Sequence, residues 1–367
     1  MSGPVETNSS RRSGSIGTAA SGPTVSSSDP AIDTNPSGGV GTQWANSSTG
    51  DFYVCTDATA GENVWTNVDA GQSSIQPFVY QGANFGYCAG GGAPAVDVIE
   101  KYSFTSDGNG TDVANLPSAQ SGLSECGCVS ATYGYLMSNW PNGAAMYKND
   151  FASDGDSTSV GDATISKSDC SGSSSTTHGY WAGGYAGSAP GTDVVDKFAL
   201  STTADATDVG NLTQARTGTG GGTDQSGGYG YAAGGGTGNM TRYDRIDRHS
   251  FSSDGDSTDV GNMLANSYRE GGSSSSTHGY TTGGNYPYVN PIEKYSFASS
   301  ANSTDVGNIS GSYGSTTGTS ATSYGYWAGG GPPNLNNIEK YSYSSDGDST
   351  DVGDLTAARR DCGAYHY

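Results

Sequence analysis

The stretch IEKYSYSSDGDSTDVGDLTAARRDCGAYHY, residues 338–367, strings together words that recur through the chain. IEKYSF stands at 99–104 and 292–297, with weaker forms VDKFAL at 195–200 and IDRHSF at 246–251. Relatives of TDVGDL begin at 111, 158, 207, 258, 304 and 350. A further word, GYxAGG or a relative, places Tyr at 87, 135, 180, 231, 280 and 326, a spacing of 45 to 51 residues. Six copies of one unit therefore cover roughly 80–360. Such fixed-period similarity marks an architecture of stacked or radial units.

Each word is short and rich in Val, Ile, Tyr, Phe and Thr, as strands are. SDGNG at 106–110 and SDGDS at 153–157, 253–257 and 345–349 supply Asp-Gly for a tight hairpin turn. A fourth strand, roughly LTQARTGTGG at 212–221, spans from TDVG to the next GY, Gly-rich because backbones crowd there. Four antiparallel strands per unit, repeated radially, make an all-β, six-bladed β-propeller over residues 71–367. Helical solenoids are disfavoured, since no ten-residue stretch shows apolar residues at helical spacing. A parallel β-helix is the alternative, although its coils are usually shorter than this unit.

Bulk composition points elsewhere. With 59 Gly in 367 residues and only 32% hydrophobic residues, the chain resembles a disordered polymer. The repeat and the regular spacing of 24 Tyr outweigh that. A formal charge of −21, spread over many loops, repels nucleic-acid phosphates and anionic lipid. No apolar run is long enough to cross a membrane, and MSGPVETNSSRRSGS lacks the apolar core of a secretory signal. Six cysteines (Cys55, Cys88, Cys126, Cys128, Cys170, Cys362) are too few for a disulfide framework at this length. Cys126 and Cys128 stand too close for a zinc knuckle. Cys170 and Cys362 share a repeat position and read as small buried side chains.

A strand ending in Gly-Gly, followed by an aromatic strand at a period near fifty, resembles kelch-type propellers. STTHGYWAGG at 175–184, IEKYSF, and SDGDSTDVGDLTAAR at 345–359 look like the tandem kelch-like repeats in structural proteins of marine bacteriophages, cyanophages especially. GDFYVCTDATAGENVWTNV at 50–68 is similar to a short module preceding such domains in phage fibres. The second unit departs from the pattern, reading GYLMSN where Gly-Gly is expected. The resemblance implies a virion protein, a tail fibre or surface appendage, made in the host cytoplasm and released by lysis. Its partners would be other virion proteins through the N-terminal region, and a host surface glycan or protein; a homo-oligomer fits as well.

In a closed propeller one blade often combines both chain ends. TAARRDCGAY at 356–365 is expected to open a seventh unit and to pair beside Tyr87–Gly91, where a Cys88–Cys362 bridge is conceivable. Residues 1–40, nearly free of aromatics, read as an extended arm that a partner subunit orders. Residues 41–70 read as a small β-hairpin module anchored by Trp44 and Trp65.

The case for an enzyme is thin: a carbohydrate-active or oxidative propeller enzyme stands third, after a virion binding protein and a purely architectural decoration or connector subunit. His178 and His278 share one position in THGY and read as strand residues, while His249 stands in for a Tyr. No His and carboxylate cluster has metal spacing, so no catalytic residue and no cofactor is expected. Asp-Gly-Asp-Ser-Thr-Asp at 254–259 and 346–351 spaces oxygens as calcium loops do, but TADATD and SANSTD in other units lose the first carboxylate. A turn tolerates that loss better than calcium would. Between GYxAGG and IEKYSF the units diverge, and variable loops on a rigid scaffold are where recognition sits. Trp140, Tyr185, Tyr243, Tyr286 and Tyr288 fall there, beside Asn and Asp suited to sugar hydroxyls; shielding blade edges or contacting the virion is the alternative role.

Overall fold

The computed structural model describes residues 22–68, 78–92, 94–123, 127–138, 143–237, 241–285 and 287–367. Among them there is no helix. The chain divides into two compact units, residues 1–78 and 79–367.

The first unit is one four-stranded sheet: β1 (Thr24–Ser26), β2 (Gln43–Asn46), β3 (Phe52–Asp57) and β4 (Val64–Asn67), in that order. The hairpin expected around Gly61 is β3–β4. Tyr53, Cys55 and Trp65 are buried beneath it, and Trp44 meets Trp65 edge-on with centroids 5.9 Å apart. The expected partner-ordered arm needs correcting for residues 24–35. There β1 pairs in parallel with β2, Trp44 Nε1 donates to the Ser28 carbonyl, and Asn63 Oδ1 accepts from the Asn35 amide. The chain's own module orders that stretch, because a two-stranded hairpin is marginal without more strands. Residues 1–21 lie outside the described residues.

The second unit contains six four-stranded antiparallel sheets. Sheet 1 holds β5 (Phe85–Ala89), β6 (Val96–Ser103) and β7 (Thr111–Gln120). Sheet 2 is β8 (Cys128–Val129), β9 (Tyr133–Met137), β10 (Ala145–Asp150) and β11 (Thr158–Asp162). Sheet 3 is β12 (Ser171–Ser174), β13 (His178–Ala182), β14 (Val194–Ala199) and β15 (Thr207–Asn211). Sheet 4 is β16 (Gly220–Asp224), β17 (Tyr229–Ala233), β18 (Tyr243–Ser250) and β19 (Thr258–Ser267). Sheet 5 is β20 (Gly271–Ser274), β21 (His278–Thr282), β22 (Pro291–Ser296) and β23 (Thr304–Asn308). Sheet 6 is β24 (Thr317–Ser320), β25 (Tyr324–Ala328), β26 (Leu335–Ser342) and β27 (Thr350–Arg359). The last strand, β28 (Gly363–His366), joins sheet 1 beside β5, with Tyr365 opposite Tyr87 and Ala364 opposite Cys88.

Two details correct the sequence reading. LTQAR and its counterparts continue the fourth strand or connect onward; the first strand of the next sheet comes later, at Gly220–Asp224 or Gly363–His366. The Asp-Gly segments are not two-residue turns. Residues 343–349 form a longer loop, in which Ser342 Oγ accepts from the Ser344 and Ser345 amides.

The words make sense as contacts within each sheet and between successive sheets. The Gly of each GY word leaves space for a ring: a Cβ on Gly86, Gly179, Gly279 or Gly325 would fall within Tyr102, Phe198, Tyr295 or Tyr341. Sheet 2 carries Asn149 in that ring's place, and there Tyr365 of β28 lies over Gly134 instead. The Tyr of GY stacks on the next sheet's aromatic: Tyr180 on Phe251, Tyr231 on Phe297 and Tyr280 on Tyr343, each at 4.8 Å. The series runs on from Tyr326 of sheet 6 to Phe104 of sheet 1 at 4.7 Å. Each such pair adds roughly 1 kcal/mol beyond burial.

In TDVG the Val makes a bulge against the third strand, as where Val195 faces Gly210 and Asp196 faces Asp208. The following Gly lets the next sheet's loop approach; a Cβ on Gly210 would strike the Gly255 carbonyl. The second Asp of that loop then accepts the neighbour's backbone amide, as Asp256 does from Asn211 at 3.0 Å and Asp348 from Asn308 at 2.8 Å. The first Asp pairs with the preceding sheet's Lys: Lys101–Asp154, Lys197–Asp254, Lys294–Asp346 and, from sheet 6 to sheet 1, Lys340–Asp107. Where the next loop lacks that Asp, Lys148 and Arg248 sit over Tyr133 and Tyr229, both at 4.2 Å. The hydrophobic core is accordingly divided among the gaps between sheets. One cluster joins Tyr326, Ile338 and Leu355 of sheet 6 to Cys88 and Tyr102 of sheet 1.

Candidate functional site

Within each antiparallel sheet, successive turns alternate between two ends. The variable link from second to third strand therefore shares an end with the connector that leads to the next sheet. The connectors themselves form an ordered floor. Gly122, Asp169, Gly218, Arg269, Ser315 and Asp361 occupy equivalent positions, all with φ between 50° and 76°. Each amide donates to the carbonyl one sheet back: Asp169 to Gly122, Gly218 to Asp169, Arg269 to Gly218, Ser315 to Arg269, Asp361 to Ser315. Gly122 then donates to Asp361, so six bonds return to their starting residue.

Side chains seal this floor. Arg269 reaches Asp169 at 2.9 Å and Asp361 at 3.1 Å, and its guanidinium lies 5.4 Å from the Tyr268 ring centroid. Burial pushes the Asp169 carboxyl above the usual range despite Arg269. Arg242 also faces Tyr268, and its Nε donates to the Asn285 carbonyl. Beneath, three connectors carry buried cations to acids of the strand beyond: Lys167 to Asp196 and Arg216 to Asp247, both at 3.2 Å, and Arg359 to Glu100. Glu270, in the column of Leu123, Cys170, Thr219, Thr316 and Cys362, is buried, which pushes its carboxyl up to about 8.

The first strands close the space behind the floor. A Cβ on Gly221 would stand 2.7 Å from the Gly172 carbonyl oxygen. Gly172, Gly221, Gly272, Gly318 and Ala364 line a cavity of about 10 Å³, room for one water at most. Hydroxyls stitch these strands in turn: Val129 N to Ser174 Oγ, Ser174 N to Thr223 Oγ1, Thr223 N to Ser274 Oγ and Ser274 N to Ser320 Oγ. The last member is His366, whose Nδ1 accepts from Ser320 N while Nε2 donates to the Tyr80 carbonyl. Acceptance at Nδ1 requires the neutral ring, and burial holds its pKa down to about 4 although the bond to Tyr80 pulls the other way.

Of the residues expected at a binding site, Tyr185, Tyr243 and Tyr288 are half-buried and belong to the variable segments of sheets 3, 4 and 5. Backbone bonds hold two of them. Tyr185 exchanges both with Ser168, and Tyr243 opens β18 opposite Ser267. Trp140 and Tyr286 lie outside the described residues, as does Cys126. The Arg269–Asp169–Asp361 centre escaped sequence reading. Its only signal is a column alternating between Gly and charged residues, which turn chemistry explains as readily as a site.

Elsewhere the first unit bears a groove of about 700 Å³, lined by Thr24, Asn35, Gln43, Trp44 and Trp65 among others. His178 and His278 each begin a second strand and bond the preceding Thr hydroxyl at 2.8 Å. Among the described residues no three His, Cys, Asp or Glu side chains gather as metal donors, and the Asp-Gly-Asp carboxylates bind neighbouring sheets. No protein-family model matches the chain, and no curated protein is detectably similar to it.

Proposed function

We propose that sheets 1–6 are the blades of a closed six-bladed propeller, and that the chain is a bacteriophage virion component, a tail fibre or surface appendage, that binds without catalysis. Its ligand is a host surface glycan or protein, taken at the end that carries the variable links. One observation carries this reading: the contacts that join successive sheets repeat, while the links between second and third strands differ and share one end. Selection on shape alone would leave both alike. The space behind the connectors is filled down to a cavity of about 10 Å³, so on this reading the ligand is met on the loops rather than inside the ring of sheets. Attachment to other virion proteins belongs, on this reading, to the N-terminal segment. Weak single sites suffice where many copies act together.

A purely architectural subunit is the second reading, favoured by the backbone bonds that tie Tyr185 and Tyr243 into the fold. Full-length protein displayed on beads separates the two. Adsorption to host cells that competes with infection, and that falls at least tenfold in a Tyr185→Ala/Tyr243→Ala/Tyr288→Ala variant of unchanged Tm, supports recognition. Absence of adsorption, with these tyrosines instead buried against another virion subunit in the particle, overturns it in favour of architecture.

A further inference from the structure

We infer that Cys88 and Cys362 form a site of covalent closure: a disulfide that joins the first strand of the repeat region to the segment leading into its last. The geometry comes from β28 lying beside β5. Ala364 sits opposite Cys88, and Cys362 stands two residues earlier, immediately before β28. Both thiols are free and at most 1% exposed, packed into one cluster with Leu355 and Tyr326. Arg359 lies close by, and the direct interaction of the two thiols draws the Cys88 thiol below its ordinary range and raises that of Cys362. In the proposed reaction Cys88 is the thiolate that attacks, and Cys362 the thiol that resolves.

The repeat itself isolates this pair. At the position of Cys88 the other sheets carry Leu136, Trp181, Ala232, Thr281 and Trp327; at that of Cys362 they carry Leu123, Cys170, Thr219, Glu270 and Thr316. Where Cys170 occupies the second position, its counterpart is Trp181, and no cross-strand pair arises. Among the described residues of the six sheets, only sheet 1 has cysteine at both of these positions, and only sheet 1 takes its first strand from the far end of the repeat region.

The oxidant is a low-molecular-weight disulfide. Cys88 thiolate attacks one of its sulfurs and releases one small thiolate, leaving a mixed disulfide. Cys362, deprotonated, then attacks the Cys88 sulfur and releases the second. Two protein thiols become one disulfide, and the small disulfide leaves as two thiols. Because both sulfurs are buried, the rate follows transient opening of β28. The product closes a loop of more than 270 residues, the kind of crosslink that most restricts an unfolded chain. This inference rests on the β28–β5 pairing alone and is independent of the proposed ligand.

The test uses full-length protein incubated with oxidised glutathione, then alkylated, digested without reductant and examined by mass spectrometry. The expected result is a Cys88–Cys362 peptide pair, four alkylated thiols in place of six, and a Tm raised by about 5 °C that dithiothreitol reverses. Cys362→Ser should abolish the crosslink and the Tm gain, whereas Cys170→Ser should keep both. Six free thiols after oxidation, a Cys128–Cys170 link, or a glutathione adduct that stops at Cys88 would each overturn it. Thiol counting on the unaltered protein decides the matter even if the variants fold poorly.

Discussion

Gly279 shows how much of this fold rests on missing side chains. Ala normally improves a strand over Gly, by its lower unfolded-state entropy. Here the new methyl would land inside the Tyr295 ring, so Gly279→Ala should destabilise by about 2–3 kcal/mol, read as a lower urea midpoint with unchanged slope. Glu270 offers the opposite case. Its carboxyl stays protonated in the fold up to about pH 8 but ionises near 4.5 when unfolded. The unfolded state therefore gains from ionisation as pH rises from 4.5, and folded stability falls until about pH 8. Glu270→Gln should recover about 2–4 kcal/mol at pH 8, with the gain vanishing below pH 4.5; urea titrations at both ends of that range check it. The Gly of GY was visible in the sequence as a repeated letter. Its cause was not, because the ring that needs the space lies on the following strand, and only the register of pairing sets it opposite the glycine.

Among the elements, the loop between third and fourth strands is the clasp. Its exposed Lys–Asp pairs and the buried pairs at the connectors differ in weight for a physical reason. Asp254 is 59% exposed, so water already solvates it, and Asp254→Asn should cost less than about 1 kcal/mol. Glu100 and Arg359 are almost wholly buried, and Glu100 accepts from Thr356 N as well, so Arg359→Met strands a buried charge. A loss of about 3–5 kcal/mol in urea unfolding is the expected outcome. The strand words were legible from composition and period. The first strand of each sheet was placed too early, since a Gly- and Ser-rich run gives no alternation by which to set its register.

For the second unit as a whole, two histidines connect the fold to pH. His249 and His366 are buried neutral, with pKa values of about 4 against 6.5 for a free ring. On acidification the unfolded chain takes up these protons first, so stability falls as pH drops from about 6.5 to 4 and no further through these groups. Each accounts for up to about 3 kcal/mol. In the Glu270→Gln background, where the opposing trend is removed, the urea midpoint should decline across that window. His249→Phe, which copies Phe198 of sheet 3, should remove about half the decline. The six-bladed reading has its own test: a chain ending at Asp361 leaves β5 and β8 exposed and should self-associate in sedimentation, as unpaired strand edges do.

By itself the sequence determined the all-β character and the count of six units, because strand composition and period are properties of neighbours along the chain. It also indicated that the final residues return to the first repeat, where β28 pairs with β5. Which aromatic fills which glycine, why the Asp-Gly loops carry two acids, and how Arg269 comes to rest between Asp169 and Asp361 were decided only in three dimensions. The loop and Arg269 contacts join residues 40 to 260 positions apart, and even the glycine–ring pairs meet only across paired strands, so no local preference encodes the partner.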